Sequence, residues 1–358
     1  MLRADEYHWW CGVPSNQGVV AEFVVNGVGG TGMVNAQEVF DQGNNPSVIT
    51  WGYGWQPLNT QPSFPPNLWT QTSDTSKTLT VNPAALPLGN QKYVTAAPKK
   101  GYVYACDPKA FQFPVVIGGK GSNPWTGPST FDITQKIWVQ GNLMLPGAEF
   151  NISTTSNSRV FYSNGIPVAP TGIFPIQSSD AAYFYDQNPD SIIAQTVSFS
   201  VPLNPTVATS PTCTGLELGI TLDGVELSGP LDSSGRDEMA YEMQDSCNGM
   251  AQPGGLYHRH GLSNCTPHIH ENNALVGYAL DGFGIFSPYD ANGVELSTDD
   301  LDECHGMTSP IIWNGKLVSM YHYVLTRDFP YSISCFRGTP VVNAFPPLPP
   351  PTFPPPPH

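Results

Sequence analysis

The chain has 358 residues, enough for two ordinary domains with substantial cores. Its 14 basic against 29 acidic residues leave a formal charge of −15, which repels nucleic-acid phosphates and anionic membrane surfaces and sets nucleic-acid binding aside. Its 35 glycines and 37 prolines make up roughly a fifth of the sequence, where about 12% is usual, so many short strands and turns are expected rather than long helices.

Taken in order, residues 1–10 lack the apolar core of a signal peptide, which suggests a mature or trimmed form. Val19–Val25 reads as a strand, and Gly27–Gly32 fits GxGxxG, but no helix follows to receive a pyrophosphate, so a glycine-rich turn is the simpler reading. Residues 48–104 alternate strand-like runs with Pro and Gly turns, giving an antiparallel β-rich N-terminal domain over 1–140. Trp51, Trp55, Trp69 and Trp125, with Tyr53, offer a sugar-stacking face or, alternatively, core and interface aromatics. From Lys136 strands become clearer, and Val160–Pro167 with Asn164–Gly165 carries a hairpin signal. No run of 18 apolar residues provides a membrane-spanning helix.

The most informative stretch is duplicated. Leu222-Asp223-Gly224, Asp232, Cys247-Asn248-Gly249-Met250, Tyr257-His258 and Cys265 recur as Leu280-Asp281-Gly282, Asp290, Cys304-His305-Gly306-Met307, Tyr321-His322 and Cys335. The Leu-to-Cys spacing is 25 residues in one copy and 24 in the other, so one unit over 218–265 is used again over 276–338. Matching placement predicts the bridges Cys247–Cys265 and Cys304–Cys335, each worth on the order of 3 kcal/mol in an oxidising compartment. One further pair is expected among Cys11, Cys106 and Cys213, with the third free or intermolecular.

Six of the eight histidines lie between positions 258 and 322. On strands, His258 with His260 and His268 with His270 each share a face, and paired imidazoles suit Zn or Cu. The competing reading is that these rings hydrogen-bond to backbone and brace a loop-rich domain. Acidic residues crowd the same region, and Asp290-Ala291-Asn292-Gly293 resembles the start of a Ca loop, but Val294 and Leu301 stand where an EF-hand needs oxygen ligands. Turn capping is the simpler role for them. GxSxG, HExxH and GxxxxGK[ST] are all missing, and the cysteines look paired, so no catalytic residue is assigned. Asn151-Ile152-Ser153 and Asn264-Cys265-Thr266 are glycosylation sequons.

The segments Tyr162–Pro167, Val201–Pro205, Gly219–Val225, Gly254–Gly261, Gly277–Phe283, Leu301–Cys304, Tyr321–Tyr323 and Phe329–Gly338 resemble the YHYH-domain family of secreted and surface-associated proteins. The resemblance spans about residues 140–338 and implies a fold unit and an exported location, not an activity. One departure stands out: the second copy reads Tyr-His-Tyr-Val, with Val324 in place of the last His of the family's name. Beyond Gly338, residues 346–358 hold nine prolines and resemble hydroxyproline-rich glycoprotein segments, which predicts a polyproline II tail over 341–358.

These readings predict an all-β, antiparallel, sandwich-like and disulfide-stabilised protein in three parts: residues 1–140, 141–340 and the tail. The leading expectation is a secreted structural glycoprotein, self-assembling into an extracellular fibre or sheath and carrying glycans. The alternatives are an extracellular metal-binding protein or metal-dependent enzyme using His258, His260, His268 and His270 with Zn, Cu or Ca, and a carbohydrate-binding module.

Overall fold

The computed structural model describes residues 77–111 and 123–348, nearly all within a compact unit comprising 61–140 and 145–358. Short strands dominate it, and the single α-helix among the described residues has four residues, Glu238–Tyr241 (α1). Leu86–Pro87 (β1) pairs antiparallel with Thr130–Phe131 (β4), while Tyr93–Val94 (β2) pairs parallel with Val103–Tyr104 (β3). Phe150–Thr154 (β5), Ser158–Ser163 (β6) and Val197–Pro202 (β7) make an antiparallel three-stranded sheet. Asn164–Gly165 is not a tight hairpin. The following segment, with Pro167 and Pro170, lacks the donors to return beside β6 at once, and β7 takes that place instead.

The main sheet has eight strands, formed by Glu217–Thr221 (β8), Glu226–Ser228 (β9), Gly249–Ala251 (β10), Tyr257–Arg259 (β11), Leu275–Ala279 (β12), Gly284–Phe286 (β13), Gly306–Trp313 (β14) and Lys316–Val324 (β15). Their order, β10-β11-β9-β8-β12-β13-β15-β14, reads the same from both edges once β12–β15 are matched with β8–β11. The two halves meet at the antiparallel pair β8–β12, where Gly219 faces Ala279, Ile220 faces Tyr278 and Thr221 faces Gly277. This register maps onto itself under the offset that takes Leu222 to Leu280, the signature of a pseudo-two-fold. Gly219 and Gly277 make the close approach possible: a Cβ on either would come 2.5 and 2.7 Å from the carbonyl oxygens of Tyr278 and Ile220, respectively.

Equivalent ladders repeat in each half. His258 lies opposite Met250 and His322 opposite Met307, while Arg259 pairs with Leu227 in a parallel ladder as Tyr323 does with Ile285. One continuous apolar core includes Leu218, Ile220 and Leu227 from the first half, Val276, Phe283 and Ile285 from the second, and Leu86, Trp125, Phe131 and Phe161 from preceding segments. Cys106–Cys213, Cys247–Cys265 and Cys304–Cys335 are disulfide-bonded. Trp125 is 3% exposed and donates from Nε1 to the Ala240 carbonyl at 2.9 Å, so it is a core residue and offers no sugar platform. Trp51, Tyr53, Trp55, Trp69, Cys11 and most of the proline-rich tail lie outside the described residues. No helix among the described residues is long and apolar enough to cross a membrane.

Candidate metal centre

Each half is built on the same aspartate turn, buried in the first half and half-buried in the second. Asp245 Oδ1 accepts from the Cys247 and Gly249 amides at 2.9 and 3.2 Å and from the Tyr257 hydroxyl at 2.9 Å. Asp302 Oδ1 does the same for Cys304, Gly306 and Tyr321, at 2.9, 3.0 and 3.1 Å. The tyrosine hydroxyl lies over the turn glycine, where a Cβ on Gly249 or Gly306 would come within 2.3 Å of it. The residue after each motif histidine turns to the LDG aspartate: Arg259 Nη1 meets Asp223 Oδ2 at 2.8 Å, and the Tyr323 hydroxyl donates to Asp281 Oδ2 at 2.6 Å. Strand alternation then sends His258 and His322 to the opposite face from these anchors.

On that face the first half gathers a donor set. His258 and His260 stand with ring centroids 4.7 Å apart and planes 88° to one another. Glu238, at the start of α1, places Oε1 3.1 Å from His260 Nε2. The α1 start is held by the Glu238 amide on the Pro230 carbonyl at 3.0 Å. One ligand atom from each of Glu238, His258 and His260 falls within 4.8 Å of the others, a cluster with metal-ligand composition. His260 Nδ1 is hydrogen-bonded to the Gly229 carbonyl oxygen, so Nδ1 carries the proton and Nε2 presents a lone pair to the carboxyl group. Nε2 nevertheless has no partner in hydrogen-bond geometry, and neither has His258 Nδ1. Glu238, His258, His260 and Glu242 are 7, 5, 4 and 9% exposed, so the cluster lies just below the surface.

Burial controls the charges here. It holds His258 well below the ordinary histidine range, with the neighbouring His260 acting in the same direction, while the Leu256 and Met250 backbone pulls the other way. Burial likewise lowers His260 to about 4. Both rings are therefore neutral near pH 7, the form that ligates metals. Glu238 is pushed up to about 8 by burial and then by Asp232. Glu242, hydrogen-bonded to it, rises well above the usual range through burial and the Glu238 charge. Lys136 adds a buried amine, lowered to about 7 by desolvation against the pull of Asp237, Glu242, Asp186 and Glu238. Its Nζ donates to the Met239 carbonyl at 2.6 Å and to Gln244 Oε1.

The four histidines expected to act together are divided. His258 is in β11 and His260 immediately follows it, both buried. His268 and His270 lie in an exposed turn, where strand alternation does not apply, and His268 Nδ1 is 3.1 Å from Glu271 Oε2. Neither joins the cluster with Glu238. His305 and His322 belong to the second half, where His305 Nε2 is 2.9 Å from Thr326 Oγ1 and the His322 ring meets Phe286 edge-on with centroids 4.7 Å apart. Asn151 is exposed on β5, while Asn264 is half-buried beside the bridged Cys265. The sequence reading missed Glu238, Glu242 and Lys136. The available signal was the acidic pair at i and i+4 in Glu238-Met239-Ala240-Tyr241-Glu242, whose burial only the fold reveals.

The fold and site define a disulfide-braced β module built from two pseudo-symmetric halves, one of which carries a polar His–Glu cluster. Residues 198–295 match the family model described as YHYH protein, so the chain contains a YHYH domain, and the matched span includes Glu238, His258 and His260. No curated protein and no solved structure matches the chain.

Proposed function

We propose that this is an exported metal-binding protein whose YHYH domain holds one first-row divalent ion through Glu238, His258 and His260. The observation that supports it most is the His260 ring. Its Nδ1–H is fixed on the Gly229 carbonyl and its Nε2 faces Glu238 Oε1 at 3.1 Å without a hydrogen bond. Histidine ligands commonly donate their second ring N–H to a backbone carbonyl, which fixes the tautomer and aims the lone pair. Two neutral imidazoles and one carboxylate suit Zn or Cu, whereas Ca prefers an all-oxygen shell. Three protein donors leave a further position to solvent or Glu242. Their near-complete burial favours a structural ion, because a catalytic one needs an open position for substrate.

Export is supported by three disulfides, which persist in oxidising compartments. The fibre or sheath reading, with self-association and glycans, rests on the disulfide-suited duplication, the missing catalytic motifs, the abundant aromatics and the proline-rich tail. Most of that tail lies outside the described residues, and the buried cluster is the better-supported function. Elemental analysis of protein purified without chelator tests the proposal: about one equivalent of Zn or Cu is expected, lost in His258→Ala and His260→Ala. Metal-free protein that neither takes up Zn or Cu nor gains stability from them would remove it.

A further inference from the structure

Five arginines fall within the described residues, and four of them face carboxylates. Arg236 pairs with Asp232, Arg259 with Asp223, Arg327 with Glu295, and Arg337 with Asp302 and Glu303. Arg159, in β6, has no carboxylate partner among the described residues, although it is 3% exposed in a chain of net charge −15. Its guanidinium carbon lies 4.3 Å from the Tyr278 ring centre and 4.9 Å from that of Trp313. Nη2 donates to Asn314 Oδ1 at 2.6 Å, in the turn between β14 and β15. Nη1 is buried with no acceptor, and so is the indole Nε1 of Trp313, a group that can only donate.

The aromatic rings compensate part of the charge through cation–π attraction, but they cannot accept the in-plane N–H bonds of the guanidinium edge. A buried charge without a counterion, beside a second unsatisfied donor, is a costly arrangement. The missing complement is an acceptor bearing negative charge. A guanidinium edge fits carboxylate, sulfate and phosphate oxygens, which receive paired N–H bonds from it. Asn314 and Gly315, in the turn beside it, are exposed.

We propose that Arg159, Trp313 and Asn314 form a binding site for a small oxyanion group (sulfate, phosphate or carboxylate) at the β14–β15 turn. The site is separate from the Glu238–His258–His260 cluster and does not depend on it. Sodium sulfate, phosphate and acetate are titrated into the full chain against sodium chloride at matched ionic strength, with thermal unfolding and calorimetry as readouts. At least one oxyanion should bind and raise the midpoint beyond chloride. Arg159→Gln should weaken it by tenfold or more, and Trp313→Phe, which keeps the ring but loses its donor, by about tenfold. Crystals soaked in selenate should show anomalous density within hydrogen-bond reach of Arg159 Nη1. A sulfated or carboxylated monosaccharide binding more tightly than the free ion would identify a sugar-borne group as the source; equal affinity would identify the free ion. If Arg159→Gln does not fold, Trp313→Phe carries the test. The proposal fails if no oxyanion exceeds chloride, if Trp313→Phe binds like the wild type, or if selenate lies elsewhere as an adventitious ion only, with water at Arg159.

Discussion

The two halves of the eight-stranded sheet share their backbone and their anchoring turns but fill the face beyond them differently. The first half offers Glu226, Ser228, Glu238, His258 and His260. The second offers Gly284, Phe286, Leu296, His322 and Val324 at the corresponding places. His322 rests against Phe286, and Val324 is 1% exposed, so this half closes by apolar packing. The first half closes instead around neutral imidazoles and carboxyl groups whose proton affinity burial raises. What recurs in both, the aspartate turns, the tyrosine above a glycine and the disulfide, therefore holds the fold. What differs is where the proposed metal site lies.

The largest expected contrast is metal dependence. Chelation should destabilise the wild type, and restoring ion at about a thousand times its dissociation constant should return about 4 kcal/mol. His260→Val, which copies the second half, should abolish that response, while His322→Ala should keep it. If His322→Ala removes the metal, the asymmetry assigned to the halves is wrong.

The shared turns should behave alike. Asp245→Ala leaves the Cys247 and Gly249 amides and the Tyr257 hydroxyl without their acceptor, at a cost of about 3 kcal/mol; Asp302→Ala, at a more exposed site, should cost about 2. Denaturant unfolding measures both, and the order reverses only if burial is not what separates them.

A third contrast depends on pH. His305 occupies the place of Asn248, and burial, aided by Lys100, lowers it to about 3. An unfolded histidine takes up its proton near pH 6.5, while the folded one stays neutral. Stability is thus present above about 6.5 and lost as pH falls towards 3. This contributes about 2 kcal/mol of loss by pH 5. His305→Asn should flatten that part of the stability profile, and an unchanged slope would show that His305 is not its source.

The smallest contrast concerns the bridges. Cys304–Cys335 spans 31 residues and Cys247–Cys265 spans 18. Removing the longer loop's bridge should cost about 0.5 kcal/mol more, in a background of about 3 for each. Equal or reversed losses would point to the native state rather than to chain entropy.

By itself, the sequence determined the local grammar of this protein. Gly and Pro density excluded long helices. The recurrence of LDG, Cys-x-Gly-Met and Tyr-His exposed a unit used twice, because turns and close packing demand particular residues at fixed spacing. The neighbourhood of His258 and His260 was legible too, since two residues apart on a strand share a face. Only the tertiary structure decided which other groups join them. His268 and His270 looked equivalent in text, but a turn carries them to solvent. Glu238, twenty residues before His258, arrives on α1 through the Pro230 carbonyl. Arg159 and Trp313, more than 150 positions apart, meet because β6 packs near the β14–β15 turn. Chemistry of that kind depends on long-range packing and on burial, which sets both the charge of a carboxyl group and the need of an N–H for an acceptor.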